Sequence, residues 1–216
     1  MEKRQLGQSD LHVYPITFGG NVFGWTIDEK QSFEILDAFT GAGFNFIDTA
    51  DMYSRWAEGN VGGESETIIG NWLQKRGRRD DVIIATKVGN DMGDGKKGLK
   101  KAYILQAVED SLKRLKTDYI DLYQTHFDDP ETPVEETLEA YAQLVKDGKV
   151  RYIGTSNMTP ERLLESLQVS ADKGFPVYQT LQPHYNLYDR ANYESTVEPI
   201  ALEHKLGVIP VSYTHL

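Results

Sequence analysis

The sequence contains no cysteine, no excess of basic residues and no long apolar run, and each absence excludes a class of protein. Without cysteine, the chain can form neither a disulfide framework nor a thiolate metal site or nucleophile. Its apolar runs are shorter than the roughly 18 residues that a membrane-spanning helix needs. The formal net charge of −10 argues against nonspecific nucleic-acid binding, which requires a basic surface. We therefore expect neither a membrane protein nor a nucleic-acid-binding protein.

The remaining composition is that of an ordinary globular domain. Hydrophobic residues make up 39% of the 216-residue chain and charged residues 26%, which is enough to bury one large core. The N-terminal segment MEKRQLGQSD (1–10) is polar and lacks the apolar stretch of a secretory signal peptide. The chain length predicts a single domain. The absence of cysteine and of a signal peptide predicts a cytoplasmic location.

Short β-branched and aromatic segments alternate with longer segments of helical periodicity. Many are nearly continuous apolar runs, such as VIIAT (82–86) and YIDLY (119–123), which is typical of parallel strands buried on both faces. The candidate strands are Thr17–Gly20, Phe44–Asp48, Val82–Lys87, Tyr119–Gln124, Val150–Ser156, Val177–Gln182 and Gly207–Pro210. Ahead of them, Arg4–Leu6 and His12–Tyr14 predict a hairpin that turns through GQSD. The alternation indicates an α/β protein.

Helix start signals lie between the predicted strands. Asp28 with Gln31, and Thr132 with Glu135, have the spacing of a capping box. The chain thus contains seven strand–helix steps, the last of them without its helix. Such an order forms either a closed (β/α)8 TIM barrel or a doubly wound open sheet. The open sheet is disfavoured because no strand is followed by the G-x-G-x-x-G motif of dinucleotide-binding folds.

Polar residues stand at the carboxyl ends of the predicted strands. In the segment NFIDTADMY (45–53), for example, an apolar strand ends on Asp48, and Tyr53 follows five residues later. In a barrel these strand ends meet on one face, where active sites are built. The polar and glycine residues at these positions are Gly20, Asn21, Asp48, Tyr53, Lys87, His126, Ser156, Asn157 and Gln182. Each alone has an ordinary structural explanation, but together on one rim they indicate a reaction site.

Four of these side chains are suited to proton transfer to a carbonyl oxygen. A free tyrosine has a pKa of about 10 and gives up its proton reluctantly near neutral pH. The ammonium of Lys87 would favour the phenolate of Tyr53, and Asp48 would supply the counter-charge that a buried lysine requires. His126 can donate a hydrogen bond to a substrate oxygen and orient it. The hydride must then come from a cofactor, because no side chain supplies one.

Five segments resemble the aldo-keto reductase family and occur in the order found in that family. They are GFNFIDTADMY (43–53), IIATKVG (83–89), DLYQTHFDDP (121–130), VRYIGTSN (150–157) and LQPHYN (181–186). The resemblance extends from Arg4 to about Pro210. The insertion RWAEGNVGGESETIIG (55–70) is most similar to the bacterial branch that acts on aryl alcohols and small aldehydes, a branch that includes relatives of potassium-channel β-subunits.

The resemblance implies a (β/α)8 barrel in a single domain, with residues 1–15 as a hairpin that closes its bottom and residues 16–210 as the barrel. It implies reversible reduction of a small-molecule aldehyde or ketone with NADP, or alternatively NAD, and without a metal. Tyr53 would be the proton donor, Asp48 and Lys87 its tuning pair, and His126 the orienting donor.

The resemblance also implies contacts for cofactor and substrate. The nicotinamide carboxamide would be held by Ser156, Asn157 and Gln182. The attached ribose would lie near Gly20, Asn21 and Asp48. The substrate pocket would include Trp25, Arg55 and Trp56, with packing in the core as an equal alternative for Trp25.

The C-terminal residues depart from the family's pattern. After GVIP (207–210) the family usually continues with a tyrosine or tryptophan that stacks on the nicotinamide, whereas this sequence has Val211, and Tyr213 comes two residues later. The eighth βα unit and the basic loop that grips the adenosine 2′-phosphate have no counterpart. We therefore expect an incomplete barrel of about seven strands with an atypical tail at 211–216, and an inactive fragment of a reductase is one alternative.

Two other functions remain as alternatives. A metal-dependent hydrolase on the same barrel would use His126, Asp128, Asp129 and His184. Such sites commonly begin with paired histidines after the first strand, where this sequence has GGN (19–21). A non-catalytic, cofactor-binding regulatory subunit similar to channel β-subunits is disfavoured by the histidine after the fourth strand and by the lack of an obvious partner patch on the helices.

Overall fold

The computed structural model describes residues 2–212. Within this range the chain forms nine strands, β1 to β9, and six α-helices, α1 to α6. In chain order, the strands are Arg4–Gln5, His12–Val13, Thr17–Gly19, Phe46–Asp48, Ile83–Val88, Ile120–Thr125, Val150–Ser156, Thr180–Gln182 and Gly207–Val208. The helices are Glu29–Gly41, Glu64–Arg76, Lys101–Leu115, Val134–Lys146, Pro160–Lys173 and Glu198–Glu203, and a π-helical turn at Tyr193–Val197 precedes the last.

Strands β3 to β9 form one parallel sheet in which each strand pairs with the next strand of the chain. One α-helix lies in each of the six connections, so the sheet curls through seven consecutive strands of a (β/α)8 barrel. This sequential order excludes the doubly wound sheet, whose strand order reverses at a switch point. The predicted incomplete barrel is therefore confirmed. Within the described residues, β3 and β9 each pair on one side only.

Side-chain alternation along the strands divides the core into two parts. On β5, Ile83 and Ala85 belong to a cluster inside the barrel, whereas Ile84 and Val88 belong to the larger cluster between the sheet and the helices. The antiparallel hairpin formed by β1 and β2 and its turn add to the inner cluster Leu6, Leu11 and Val13. These residues pack near the start of β5, so the hairpin covers the amino ends of the strands and leaves the carboxyl ends open.

One of the two predicted capping boxes is present and the other is wrong. Asp28 caps α1 with both reciprocal hydrogen bonds to Gln31. Thr132 does not cap α4, which begins after Pro133 without a side-chain cap. The hydroxyl of Thr132 instead donates to Asp129 Oδ2 at 2.6 Å, because the preceding loop offers it a carboxylate.

The chain beyond β9 continues the pairing for a short distance. The amide of Val211 donates to the carbonyl oxygen of Pro183 at 3.0 Å, and its own carbonyl accepts from the amide of Tyr185 at 3.1 Å. Tyr213, two residues later, lies outside the described residues. None of the helices within residues 2–212 is long and apolar enough to cross a bilayer.

Candidate active site

The ammonium group of Lys87 lies at the centre of the site. Lys87 is fully buried near the carboxyl end of β5. Its Nζ donates to Asp48 Oδ2 at 2.6 Å, to the carbonyl oxygen of Thr49 at 2.9 Å and to the hydroxyl of Tyr53 at 2.9 Å. An ammonium has three donors, and all three are used here. The structure thus brings Asp48, Tyr53 and Lys87 into direct contact.

The carboxylate of Asp48 connects four strands of the barrel. Asp48 is the last residue of β4, and its Oδ2 faces Lys87 on β5. Its Oδ1 accepts from Gln124 Nε2 on β6 and from Gln182 Nε2 on β8, both at 3.1 Å. A buried carboxylate is stable only when it is paired and hydrogen-bonded, and Asp48 satisfies both conditions.

Sequence reasoning missed Gln124. It pairs in register with Lys87, and alternation along β6 turns its side chain inward, as it does for Leu122 two residues earlier. That alternation is the available signal in the run YIDLYQ, whose apolar character by itself predicts only a buried strand. Thr49 was missed because it contributes a backbone carbonyl, for which a side-chain pattern gives no sign.

His126 lies beside Tyr53, with the two ring centroids 6.0 Å apart and the planes at 73°. The pKa of His126 is lowered to about 3, chiefly by burial and also by the neighbouring ammonium of Lys87. The imidazole is therefore neutral at pH 7, with one N–H and one lone pair. Its Nδ1 is buried and has no partner among residues 2–212.

Burial also lowers the pKa of Lys87, and the carboxylate of Asp48 opposes this shift. The two effects act on the same ammonium, because a buried amine loses hydration while the adjacent carboxylate favours its charged form. The hydrogen bond from Lys87 Nζ to Asp48 Oδ2 is 2.6 Å long, which is the separation of a charge-assisted bond.

An aromatic rim extends from Tyr53 toward solvent. The ring of Trp56 lies 6.0 Å from that of Tyr53, and the ring of Trp25 lies 5.5 Å from that of Trp56, both edge-on. Trp25 and Trp56 are 39% and 45% exposed, so neither belongs to the buried core. Arg55 lies against the loop 89–98, where its guanidinium approaches Gly93 closely.

Three side chains at the ends of β7 and β8 form a connected polar group. Ser156 pairs in register with Gln182 and donates to its carbonyl oxygen at 2.7 Å. Asn157 Nδ2 donates to the carbonyl oxygen of His126 and to Ser156 Oγ, each at 3.0 Å. The amide oxygens of Asn157 and Gln182 accept no hydrogen bond from residues 2–212. Two such acceptors fit the N–H groups of a carboxamide, which is the group a nicotinamide presents.

Gly20 and Asn21 lie at the same edge, after β3. The amide of Gly20 donates to the carbonyl oxygen of Asp48 at 2.8 Å. A Cβ at Gly20 would lie 2.9 Å from Ser65 Oγ, so a larger residue here would have to displace that side chain. Asn21 follows and is half-buried. All the residues predicted for catalysis and for the cofactor therefore lie at the carboxyl ends of β3 to β8 or directly after them.

Residues 15–216 match the model of the aldo/keto reductase family. The chain belongs to this family. It is 38% identical over 213 residues to the uncharacterized oxidoreductase YqkF of Bacillus subtilis, covering 97% of this chain and 63% of YqkF. It is 40% identical over 193 residues to the aldo-keto reductase YhdN of the same organism, covering 88% of this chain and 54% of YhdN.

A plant protein also matches this aldo/keto reductase chain. A probable voltage-gated potassium channel subunit beta of Oryza sativa is 35% identical over 213 residues, which covers 96% of this chain and 62% of that protein. The chain thus spans between half and two thirds of the length of these three relatives.

The acidic side chains that a metal-dependent hydrolase would need are engaged elsewhere in this chain. Both oxygens of Asp128 accept from Arg162 Nε at 3.1 Å. Asp129 Oδ2 accepts from Thr132 Oγ1 and from the amide of Leu99. Across the described part of the chain, no group of three or more histidine, aspartate or glutamate side chains is arranged to hold a metal ion. The alternative metal site is therefore not formed by these residues.

Proposed function

We propose that this protein reduces an aldehyde or ketone to the alcohol with a nicotinamide cofactor, and that Tyr53 is the general acid. The observation that carries the proposal is the contact at 2.9 Å between the hydroxyl of Tyr53 and Lys87 Nζ, which is itself paired with Asp48 at 2.6 Å. Membership of the aldo/keto reductase family supports it. Because the chain spans only part of its relatives, the activity of the whole protein enters as part of this proposal.

Each of the four side chains has one role in the reduction. Tyr53 transfers its hydroxyl proton to the carbonyl oxygen, and the phenolate that remains is stabilised by the ammonium of Lys87. Asp48 keeps that ammonium charged in a buried site. The neutral imidazole of His126 donates a hydrogen bond to the same carbonyl oxygen and orients it toward Tyr53.

The cofactor is held by residues at neighbouring strand ends. When bound, the nicotinamide cofactor supplies the hydride that the carbonyl carbon receives. The carboxamide would be bound by Ser156, Asn157 and Gln182, and the ribose would lie near Gly20, Asn21 and Asp48. NADP as the preferred cofactor, with NAD as the alternative, and a cytoplasmic location stay predictions from the sequence.

The substrate approaches from the side of the aromatic rim. Trp25 and Trp56 present flat, half-exposed rings next to Tyr53, and apolar rings of this kind favour a substrate that carries an apolar or aromatic group. Arg55 stands at the margin of this rim. We therefore include all three as substrate contacts.

Replacing Tyr53 by phenylalanine tests the proposal. The substitution removes only the hydroxyl, so kcat for reduction of 4-nitrobenzaldehyde by NADPH should fall by a factor of about 100 to 10,000, the range for loss of a general acid. Binding of NADPH, followed by quenching of tryptophan fluorescence, should persist. The matched control is Tyr14→Phe, because Tyr14 packs edge-on against Phe44 at the hairpin end of the barrel.

Two outcomes would contradict the proposal. Unchanged turnover in Tyr53→Phe would remove Tyr53 as the acid. A parent chain that binds NADPH but never turns over would favour the alternative of a cofactor-binding regulatory subunit, and the plant relative is named as a channel subunit beta.

A further inference from the structure

Asp51 is a buried acid for which the proposed reaction has no use. It lies on the turn that joins Asp48 to Tyr53, and its amide donates to the carbonyl oxygen of Lys87 at 3.2 Å. The residue is 2% exposed. Both carboxyl oxygens are buried, and neither accepts a well-formed hydrogen bond among residues 2–212, although the backbone amide of Met52 lies close by. A carboxylate in such a position is strongly unfavourable, because it has lost water without gaining a full hydrogen bond or a cation of its own in exchange.

The charges around the turn do not balance if every acid is ionised. Three carboxyl groups are buried here, those of Asp48, Asp51 and Glu66. Lys87 is paired with Asp48 at 2.6 Å, and Arg114 Nε is paired with Glu66 Oε2 at 2.7 Å. Both nearby cations therefore have a carboxylate of their own, and Asp51 is left without one. A proton on Asp51 removes the excess negative charge of this buried group.

We propose that Asp51 is a positioning residue, which holds the turn bearing Tyr53 in place only while its carboxyl group is protonated. Its backbone fixes the turn to β5 through Lys87, and its side chain anchors the turn in the interior. Ionisation places an unpaired carboxylate in that interior, and opening of the turn releases the charge to water. The importance of this device for catalysis rests on the proposed function, since Tyr53 is the group that the turn carries.

The groups facing Asp51 support a single titration. The pKa of Asp51 is raised to about 8, chiefly by burial and also by the Glu66 carboxylate on α2, while Arg114 on α3, the backbone amide of Met52 and Lys87 on β5 oppose the rise. Two tyrosines also face this region. Burial raises the pKa of Tyr103 on α3 and of Tyr123 on β6, so both phenols stay neutral as Asp51 ionises.

The proposal predicts how opening of the turn depends on pH. The pKa of Asp51 is near 3.8 when the turn is open and about 8 when it is closed. Between these two pH values the closed form therefore binds one more proton than the open form. The opening equilibrium constant should therefore rise about tenfold per pH unit between about pH 4 and 8, and level off above that. The closed turn is most stable at low pH and weakens as the pH rises.

Hydrogen exchange of the turn tests this directly. The amides of Thr49, Asp51 and Tyr53 are hydrogen-bonded to backbone carbonyls and report on opening. Their exchange rates, corrected for the intrinsic effect of pH, should rise about tenfold per pH unit in the parent chain and stay constant in Asp51→Asn. The matched control is Asp118→Asn, which neutralises an exposed acid between α3 and β6 and should keep the dependence of the parent.

Equal pH dependence in the parent and in Asp51→Asn overturns the proposal. Should Asp51→Asn fail to fold, infrared spectroscopy of the parent decides. A protonated buried carboxyl gives its own C=O band at neutral pH, and that band should disappear above about pH 8, in line with the raised pKa. Its absence at neutral pH rejects the proposal without any variant.

A kinetic measurement links the turn to catalysis. The parent should lose kcat/KM as the pH rises toward about 8 and the turn opens, and Asp51→Asn should keep its activity over the same range. If the alkaline loss is the same in both, Asp51 does not position Tyr53 for reaction. If the parent shows the pH-dependent exchange but no turnover at all, the proposed reductase function fails and the role of Asp51 in holding the turn stands.

Discussion

Asp48 and Asp51 are two buried aspartates three residues apart on one turn, and their surroundings are opposite. Asp48 accepts from the ammonium of Lys87 and from the amides of Gln124 and Gln182. Asp51 accepts from no side chain in the described part of the protein. The first is held as a carboxylate, and burial raises the pKa of the second to about 8. The same residue type therefore serves as a fixed charge at one position and as a neutral acid at the other.

The difference arises from the two sides of β5. Lys87 points into the barrel, where the ends of several strands supply partners for one carboxylate. Thr86, its neighbour, faces the helices and donates to Glu66, which also receives the guanidinium of Arg114. On that side Arg114 is already paired with Glu66, which leaves Asp51 without a cation of its own. The charges are thus balanced on the barrel side of β5, whereas on the helix side Asp51 has no cation of its own.

Matched asparagine substitutions give the largest expected contrast. Asp48→Asn leaves Lys87 buried without its counter-charge and should lower the free energy of unfolding by about 3–5 kcal/mol. Asp51→Asn removes an unpaired acid and should leave the free energy of unfolding at about pH 8 unchanged or higher, because at this pH the parent has lost the stability that protonated Asp51 contributes. Urea denaturation of both variants measures the contrast. Equal losses would mean that the two carboxyl groups do not differ as described.

The pH dependence of stability distinguishes His126 from Asp51 by sign. The pKa of His126 falls to about 3 in the folded chain, so the unfolded chain binds more protons between about pH 3 and 6.5. His126 therefore contributes stability above this window that is lost as the pH falls, about 2 kcal/mol between pH 6.5 and 5. The opposite sign is expected for Asp51, whose stabilising contribution is lost as the pH rises. Urea unfolding of His126→Gln at both pH values should lack the acid loss, and a loss equal to the parent's would reject this assignment.

The smallest effect is expected from removing one amide donor of Asp48. Gln124→Leu deletes a hydrogen bond of 3.1 Å to a buried carboxylate, but it also deletes the buried Gln124 Oε1, which has no partner in residues 2–212. The two effects oppose each other, and we expect a net loss of about 1 kcal/mol. Gln168→Leu is the matched control, because Gln168 donates to Asp172 on the exposed surface of α5 and should change stability by less than about 0.5 kcal/mol. A loss in the control as large as that in Gln124→Leu would show that burial of the bond does not matter.

The fold could be predicted from sequence because its signals are local. Apolar runs gave the positions of all seven barrel strands, and Asp28 with Gln31 gave the start of α1. The error at Thr132 has a physical cause, since its hydroxyl had a choice between a helix amide and a carboxylate that the loop brings beside it. Sequence spacing specifies the first of these partners and says nothing about the second.

The candidate site was predictable in outline for a similar reason. Parallel strands end on one face, so polar residues at those ends must lie together even before any contact is known. The prediction did not reach Gln124, because alternation along β6 indicates only that its side chain points inward, and it is register with Lys87 that brings it to Asp48. It could not reach Asp51 either, since nothing in the segment TADMY shows that this carboxyl would be buried without a cation.

The sequence by itself determined the succession of strands along the chain, the strand ends at which chemistry collects and the residue types available there, because periodicity and strand ends are properties of short segments. Only the tertiary structure decided which charges meet. Pairing depends on distances of a few ångströms between residues far apart in the chain, such as Asp48 and Gln182. Whether a buried acid is charged depends on the cations around it, and those cations come together only when the barrel has formed.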